Sequence, residues 1–165
     1  MTRLTAGFMS AIVMLTAFSA HADDLAKRAE AKLDKETFEV FKSEIKDQYP
    51  DHVTAYAIVK AKVEGVKEVL YCPLRTSQCG MNPTCNHPKR KTTTVDIAIG
   101  EPVITSSDAA LPKAFKDYIY FGKIALAKGD DVYLSLYVYK HQVTKDGNSH
   151  ISKIAKIAAA PKEKK

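Results

Sequence analysis

At Pro50 the hydrophobic pattern of this chain changes from a helical repeat to a repeat of two, and that switch restricts the fold more than any other feature. Upstream, Leu25, Ala29, Leu33, Phe41 and Ile45 fall on four-residue steps, with Ala26, Phe38 and Val40 widening the stripe. This is the pattern of an amphipathic helix over Asp24 to Tyr49, ended by Pro50. Charged residues fill the other side, where Lys32 with Glu36, Lys35 with Glu39, and Glu39 with Lys42 stand as opposite-sign neighbours of a solvated face. A long row of four-residue steps drifts around the helix axis and Asp34 can cap a fresh start, so a bend is expected near Asp34.

Downstream the alternation marks strands. Val53 to Val63 and Val66 to Cys72 flank Glu64-Gly65 and read as a hairpin turning on those two residues, which places Cys72 on the core side and Lys60, Lys62 and Lys67 on the other. Thr92 to Ile99 resumes strand character, and Gly100 to Pro112 reads as a connector. Asp117 to Ala127, Val132 to Val143 and His150 to Ala159 follow, with turn chemistry at Lys128-Gly129-Asp130-Asp131 and Lys145-Asp146-Gly147-Asn148. Pro112 to Lys128 also carries helix marks, with Pro at its start and Gly past its end, but the run Tyr118-Ile119-Tyr120-Phe121 favours a strand. Short connections imply antiparallel pairing. The expected class is therefore α+β: an N-terminal amphipathic helix packed on an antiparallel sheet of five or six strands, with a helix-flanked β-sandwich as the alternative.

The first 22 residues contain Arg3, an apolar run from Leu4 to Ala20, and Ala20-His21-Ala22 before Asp23-Asp24. Small residues three and one positions before the break, and a run shorter than the ~20 apolar residues of a spanning helix, read as a cleavable signal peptide. The expectation is an exported protein, periplasmic or extracellular, with no transmembrane span after cleavage. Residues 23–160 then form one globular domain and 161–165 a charged tail. With 45% hydrophobic and 27% charged residues in 165, the composition is globular and excludes disordered and collagen-like chains.

Residues 73–91 break every periodicity and form a long Cys- and Pro-rich loop. Loops of this length in compact domains are usually functional or tied down. Cys72, Cys79 and Cys85 are candidates for one disulfide in an oxidising compartment, and the sequence leaves the pairing open. Together with His87 they could in principle hold zinc, but gaps of six and five residues between the thiols lack the tight knuckle of structural zinc loops. No metal or cofactor is therefore expected. His87, Lys89, Arg90 and Lys91 form the densest positive patch, suited to an acidic or anionic partner. Nucleic acid is not the expected partner, because stacking aromatics are not interleaved with these basic residues.

The third feature is an aromatic row: strict alternation in Val132 to Val143 sends Val132, Leu134, Leu136 and Val138 to one face, and Tyr133, Ser135, Tyr137, Tyr139 and His141 to the other. Such a row is half of a second packing layer or a recognition surface. The sequence contains no catalytic motif, whether a paired-carboxylate site, a Gly-rich phosphate loop, G-x-S-x-G or H-E-x-x-H, and no residue is assigned a catalytic role. The expected function is a non-enzymatic binding module that meets a protein or an envelope polymer through its basic loop. A glycan- or polymer-binding domain using the tyrosine row, or an enzyme with no recognisable motif, are the alternatives. Intact mass of the exported protein should show residues 1–22 missing and Asp23 at the amino terminus; a full-length mass in the exported fraction contradicts the signal-peptide reading.

Overall fold

The computed structural model describes residues 23–46, 52–73, 81, 87–142 and 147–157. Residues 1–22, Pro50, most of the 73–91 loop and the 161–165 tail lie outside the described residues. The chain forms helix α1 (residues 23–32), helix α2 (Lys35–Lys46) and five strands, β1 (Val53–Tyr71), β2 (Arg90–Thr105), β3 (Ala114–Tyr120), β4 (Asp131–Tyr139) and β5 (Ser149–Lys156). The strands make a single antiparallel sheet in the order β3-β2-β1-β4-β5. The architecture is α+β, with two helices and one five-stranded sheet.

The helical segment breaks at Leu33-Asp34 for a local reason. Asp34 Oδ1 accepts the Thr37 backbone N–H at 2.9 Å and Oδ2 accepts the Thr37 hydroxyl at 2.6 Å, satisfying donors that a helix start leaves open. The new start re-phases the apolar stripe. Leu25, Ala29 and Leu33 of the first segment and Phe38, Phe41 and Ile45 of α2 enter one buried cluster with Tyr56, Ile58, Ile104, Tyr133 and Ala155. Polar ties join this cluster's two sides: Lys32 Nζ donates to the Val103 carbonyl at 2.9 Å and Arg28 Nη2 to the Thr105 carbonyl at 3.2 Å. Glu44 is buried in the α2 stripe, where Oε2 accepts the Tyr56 hydroxyl at 3.2 Å and Oε1 accepts the Ser152 hydroxyl, with Lys153 Nζ 3.7 Å away.

The expected hairpin at Glu64-Gly65 is not formed. β1 is one strand of 19 residues that runs straight through it. Val63 pairs with Ile97 and Gly65 with Asp96, so Glu64 is the extra residue of a bulge and β1 does not reverse. A Cβ at Gly65 would lie 3.1 Å from Asp96 Oδ2, so a larger residue there requires that carboxylate to shift by a few tenths of an ångström. The other Asp96 oxygen, Oδ1, accepts the Asp117 N–H at 2.8 Å, where β3 has its own bulge and Asp117 takes a positive φ of 49°. β2 likewise does not stop at Ile99. It continues through Gly100 and Pro102, because two register shifts against β1 absorb these residues and a Cβ at Gly100 would come within 2.9 Å of the Lys60 carbonyl. Pro112 to Lys128 contains a strand, placed at Ala114–Tyr120; it starts three residues and ends seven residues before the expected Asp117 to Ala127, so residues 121–127 are not strand.

The bulges coil the sheet. Tyr118 of edge strand β3 donates its hydroxyl to the Ile151 carbonyl of the opposite edge strand, β5, at 3.1 Å. The concave side therefore encloses a core drawn from all five strands: Phe115; Val95 and Ile97; Ala57, Val59, Ala61 and Val63; Val132, Leu134 and Leu136; and Ile151 and Ile154. The helix cluster occupies the other face of the same sheet.

Removing the Asp34 cap by Asp34→Ala should destabilise the protein by about 1 kcal/mol in chemical denaturation. The Thr37 hydrogen bonds hold the Asp34 carboxyl below its ordinary value. Its contribution is accordingly complete above the unfolded-state pKa, about 4, and fades as the pH falls through the lower folded-state value. The stability difference between the parent protein and Asp34→Ala should shrink on acidification from pH 6 to pH 3; a constant difference contradicts the charged cap.

Candidate binding surface

β1 pairs with β4 only from Val53 to Lys62, whereas it pairs with β2 out to Tyr71. The segment Gly65–Tyr71 and its partner Arg90–Asp96 therefore extend beyond the β1–β4 overlap as an arm, flanked on one side by β3. Val66, Val69 and Thr92-Thr93-Thr94 supply the β-branched residues that keep an exposed pair extended. At the root, the turn before β4 closes the edge: Gly129 N–H donates to the Val63 carbonyl at 2.8 Å and Val63 N–H to the Asp130 carbonyl at 2.9 Å. Past Val63 no described strand pairs with β1 on that side.

The four basic residues picked out by sequence fall at the end of this arm. Arg90 pairs with Tyr71 and Lys91 with Leu70, while His87 and Lys89 lie just before β2, the former exposed and the latter half-buried. Lys91 Nζ meets Glu68 Oε1 at 2.9 Å, and that hydrogen bond, together with the carboxylate charge, holds the ammonium above its ordinary pKa. Lys67 is 4.0 Å from Asp96, and Lys116 is 2.6 Å from Glu64. Arg90 is exposed and has no carboxylate partner among the described residues.

Two apolar residues complete the surface, and sequence reasoning missed both. Leu70, which alternation from Cys72 puts on the expected core face, is 57% exposed, and Phe121, which follows β3, is 71% exposed. The Phe121 ring stands 5.7 Å from that of Tyr71 in an edge-to-face pair, so the aromatic pair lies next to Arg90. The readable signal was Phe121-Gly122, a large ring at the point where the strand alternation stops. Cys72 is a buried free thiol, on the core side as expected, and Cys79 and Cys85 lie outside the described residues. Among the described residues no three His, Cys, Asp or Glu side chains cluster as a metal site would require.

The tyrosine row is divided. Tyr133 is buried in the helix-side cluster, and Ser135 is buried with its hydroxyl accepting the Lys153 N–H at 2.9 Å. Tyr137 is half-buried with its ring 5.7 Å from that of Tyr56, Tyr139 is half-buried and stacked on His52 at 5.3 Å, and His141 is exposed. Tyr133 is thus removed from the surface, because the α1 and α2 side chains pack over it. Tyr133→Ala should cost about 3 to 5 kcal/mol in equilibrium unfolding and Tyr139→Ala only about 1 kcal/mol. Equal costs would mean that the two rings share one environment. No known protein family, curated protein or solved structure matches this chain.

Proposed function

We propose that the protein is an exported, non-enzymatic binding module that captures a protein or an envelope polymer through the end of the β1–β2 arm. In this reading residues 1–22 are removed on export, and the N-terminal helical segment packed on the sheet is a buttress that keeps the arm's root rigid. The observation that carries the reading is the coincidence, at one end of the arm, of exposed Leu70 and Phe121, the Tyr71 ring and the Arg90 guanidinium. Exposed apolar groups beside charge mark contact surfaces, and aromatic residues and Arg are the types that dominate interface energetics. Basic charge at the tip favours a partner with acidic groups and speeds its approach. Among the described residues no helix is long and apolar enough to cross a membrane.

Arg90→Glu combined with Leu70→Ser alters this end while leaving the Lys91 to Glu68 pair in place. Captured components from the native envelope should fall at least tenfold relative to the parent protein, with the thermal midpoint within a few degrees. An unchanged set of captured components in a folded variant refutes the reading.

A further inference from the structure

The two outer strands of the sheet face each other across a cleft of about 500 Å3, lined by Tyr118, Tyr120 and the Phe121–Ile124 segment on one side and by His150–Ile154 on the other, with Val40 of α2 at its border. Among the described residues neither β3 nor β5 pairs with any strand on its outer side. Every neighbouring pair in the order β3-β2-β1-β4-β5 is antiparallel, so β3, β1 and β5 run one way and β2 and β4 the other. The strands that meet at the cleft therefore run in the same direction. One further strand, antiparallel to both, would fit between them and close the sheet. The gap is spanned by a tyrosine side chain plus one hydrogen bond, from Tyr118 to the Ile151 carbonyl. An entering strand takes the place of that side chain and of its hydrogen bond.

Two further observations say what kind of strand. Five large hydrophobic residues are exposed among the described residues, and three of them, Val40, Phe121 and Ile124, border this cleft. A protected edge is charged and lacks such residues. The lining also holds Lys123 and His150 and no Asp or Glu, while its Lys153 is already engaged by Glu44 of α2 at 3.7 Å. A second cleft, at Lys60, Lys62, Asp131 and Tyr133, supplies its own counter-charge through the Lys62 to Asp131 pair at 3.8 Å. Two copies of the β3–β5 cleft would bring like charges together, which disfavours self-association there.

We propose that this cleft is a docking site for one extended, acidic and apolar segment of a partner protein, which adds as a strand between β3 and β5 and completes a six-stranded antiparallel barrel. Main-chain hydrogen bonds to both edges hold the segment, its alternate apolar side chains cover Phe121 and Ile124, and its carboxylates face Lys123. This site shares Phe121 with the end of the arm but uses neither Arg90 nor Leu70. The test titrates a labelled eight-residue peptide of alternating valine and glutamate into the full protein by fluorescence anisotropy. Its companions are the same peptide N-methylated at alternate residues, the lysine counterpart, and laurate, and hydrogen exchange locates what is bound.

Saturable binding of the glutamate peptide is expected, with slowed exchange over residues 118–122 and 150–154. N-methylation of the peptide, or Lys123→Glu with Ile124→Asn in the protein, should weaken it at least tenfold, whereas Arg90→Glu with Leu70→Ser should leave it unchanged. Absence of binding, equal affinity of the N-methylated or lysine peptide, displacement by laurate, protection confined to the arm, or a dimer of the protein that buries the cleft would each overturn the proposal.

Discussion

The structure depends on the length mismatch between β1 and its two partners. A strand of 19 residues cannot be matched along its whole length by a β4 of nine, and the register pins the overlap to Val53–Lys62. Only this half is buried on both faces, by Ala57, Val59 and Ala61 in the concave core and by Tyr56 and Ile58 under the helix residues. The other half stays paired to β2 without β4 beside it, with Val66 still packed on the concave core while Lys67, Glu68 and Leu70 are exposed, and the bulge at Glu64-Gly65 marks the change. Because bulges increase local twist, the same feature that ends double burial also turns the arm and helps the sheet coil toward closure. A two-faced centre and a projecting arm are thus consequences of one strand being longer than its layer.

Coiling and helix docking are joined through Glu44. A carboxylate placed in an apolar stripe is costly unless its oxygens are used, and here Tyr56 of β1 and Ser152 and Lys153 of β5 use them. Ser152 is available because β5 carries an extra residue opposite Ser135 and Leu136. Lys153 also donates to the Val40 carbonyl and the Ser43 hydroxyl at 3.2 and 2.9 Å. The bulge in the outer strand is therefore the point at which α2 is fixed, and β5 is held at the angle from which Ile151 meets Tyr118. Such directional contacts specify an orientation that apolar packing alone leaves loose.

Features decided by neighbouring residues were legible in the sequence. The break at Asp34 follows from its own side chain and Thr37, and Tyr118-Ile119-Tyr120 marks β3 through its residue types. Features decided at long range were not. Gly65 serves a bulge as well as it serves a turn, and the pairing of β1 with β2, whose Asp96 lies 31 positions later, settles which. Gly100 and Pro102 read as breakers until β1 is present to absorb them in register shifts. Tyr133 and Tyr139 occupy equivalent places in an alternating pattern, yet one is covered by helix side chains and the other is stacked on His52. The basic end of the candidate surface was visible as charge, but Leu70 and Phe121 were not visible as exposed residues, because hydrophobic residues are expected inside.

The charges along the arm separate its stability from its capacity to attract. Glu64, Glu68 and Asp96 each lie within ion-pair distance of a lysine, Lys116, Lys91 and Lys67 respectively. Pairs this exposed contribute about 0 to 1 kcal/mol, so they do little to hold the arm together, which rests on its ladder hydrogen bonds and β-branched residues. Their consequence lies in the field: the acidic groups of the arm are locally neutralised, and Arg90 at the tip is left without a carboxylate among the described residues. A partner approaching within the ~8 to 10 Å over which charges act at physiological salt then meets positive potential concentrated at the exposed aromatic pair. Attraction and apolar contact thus converge on the part of β1 that β4 does not cover.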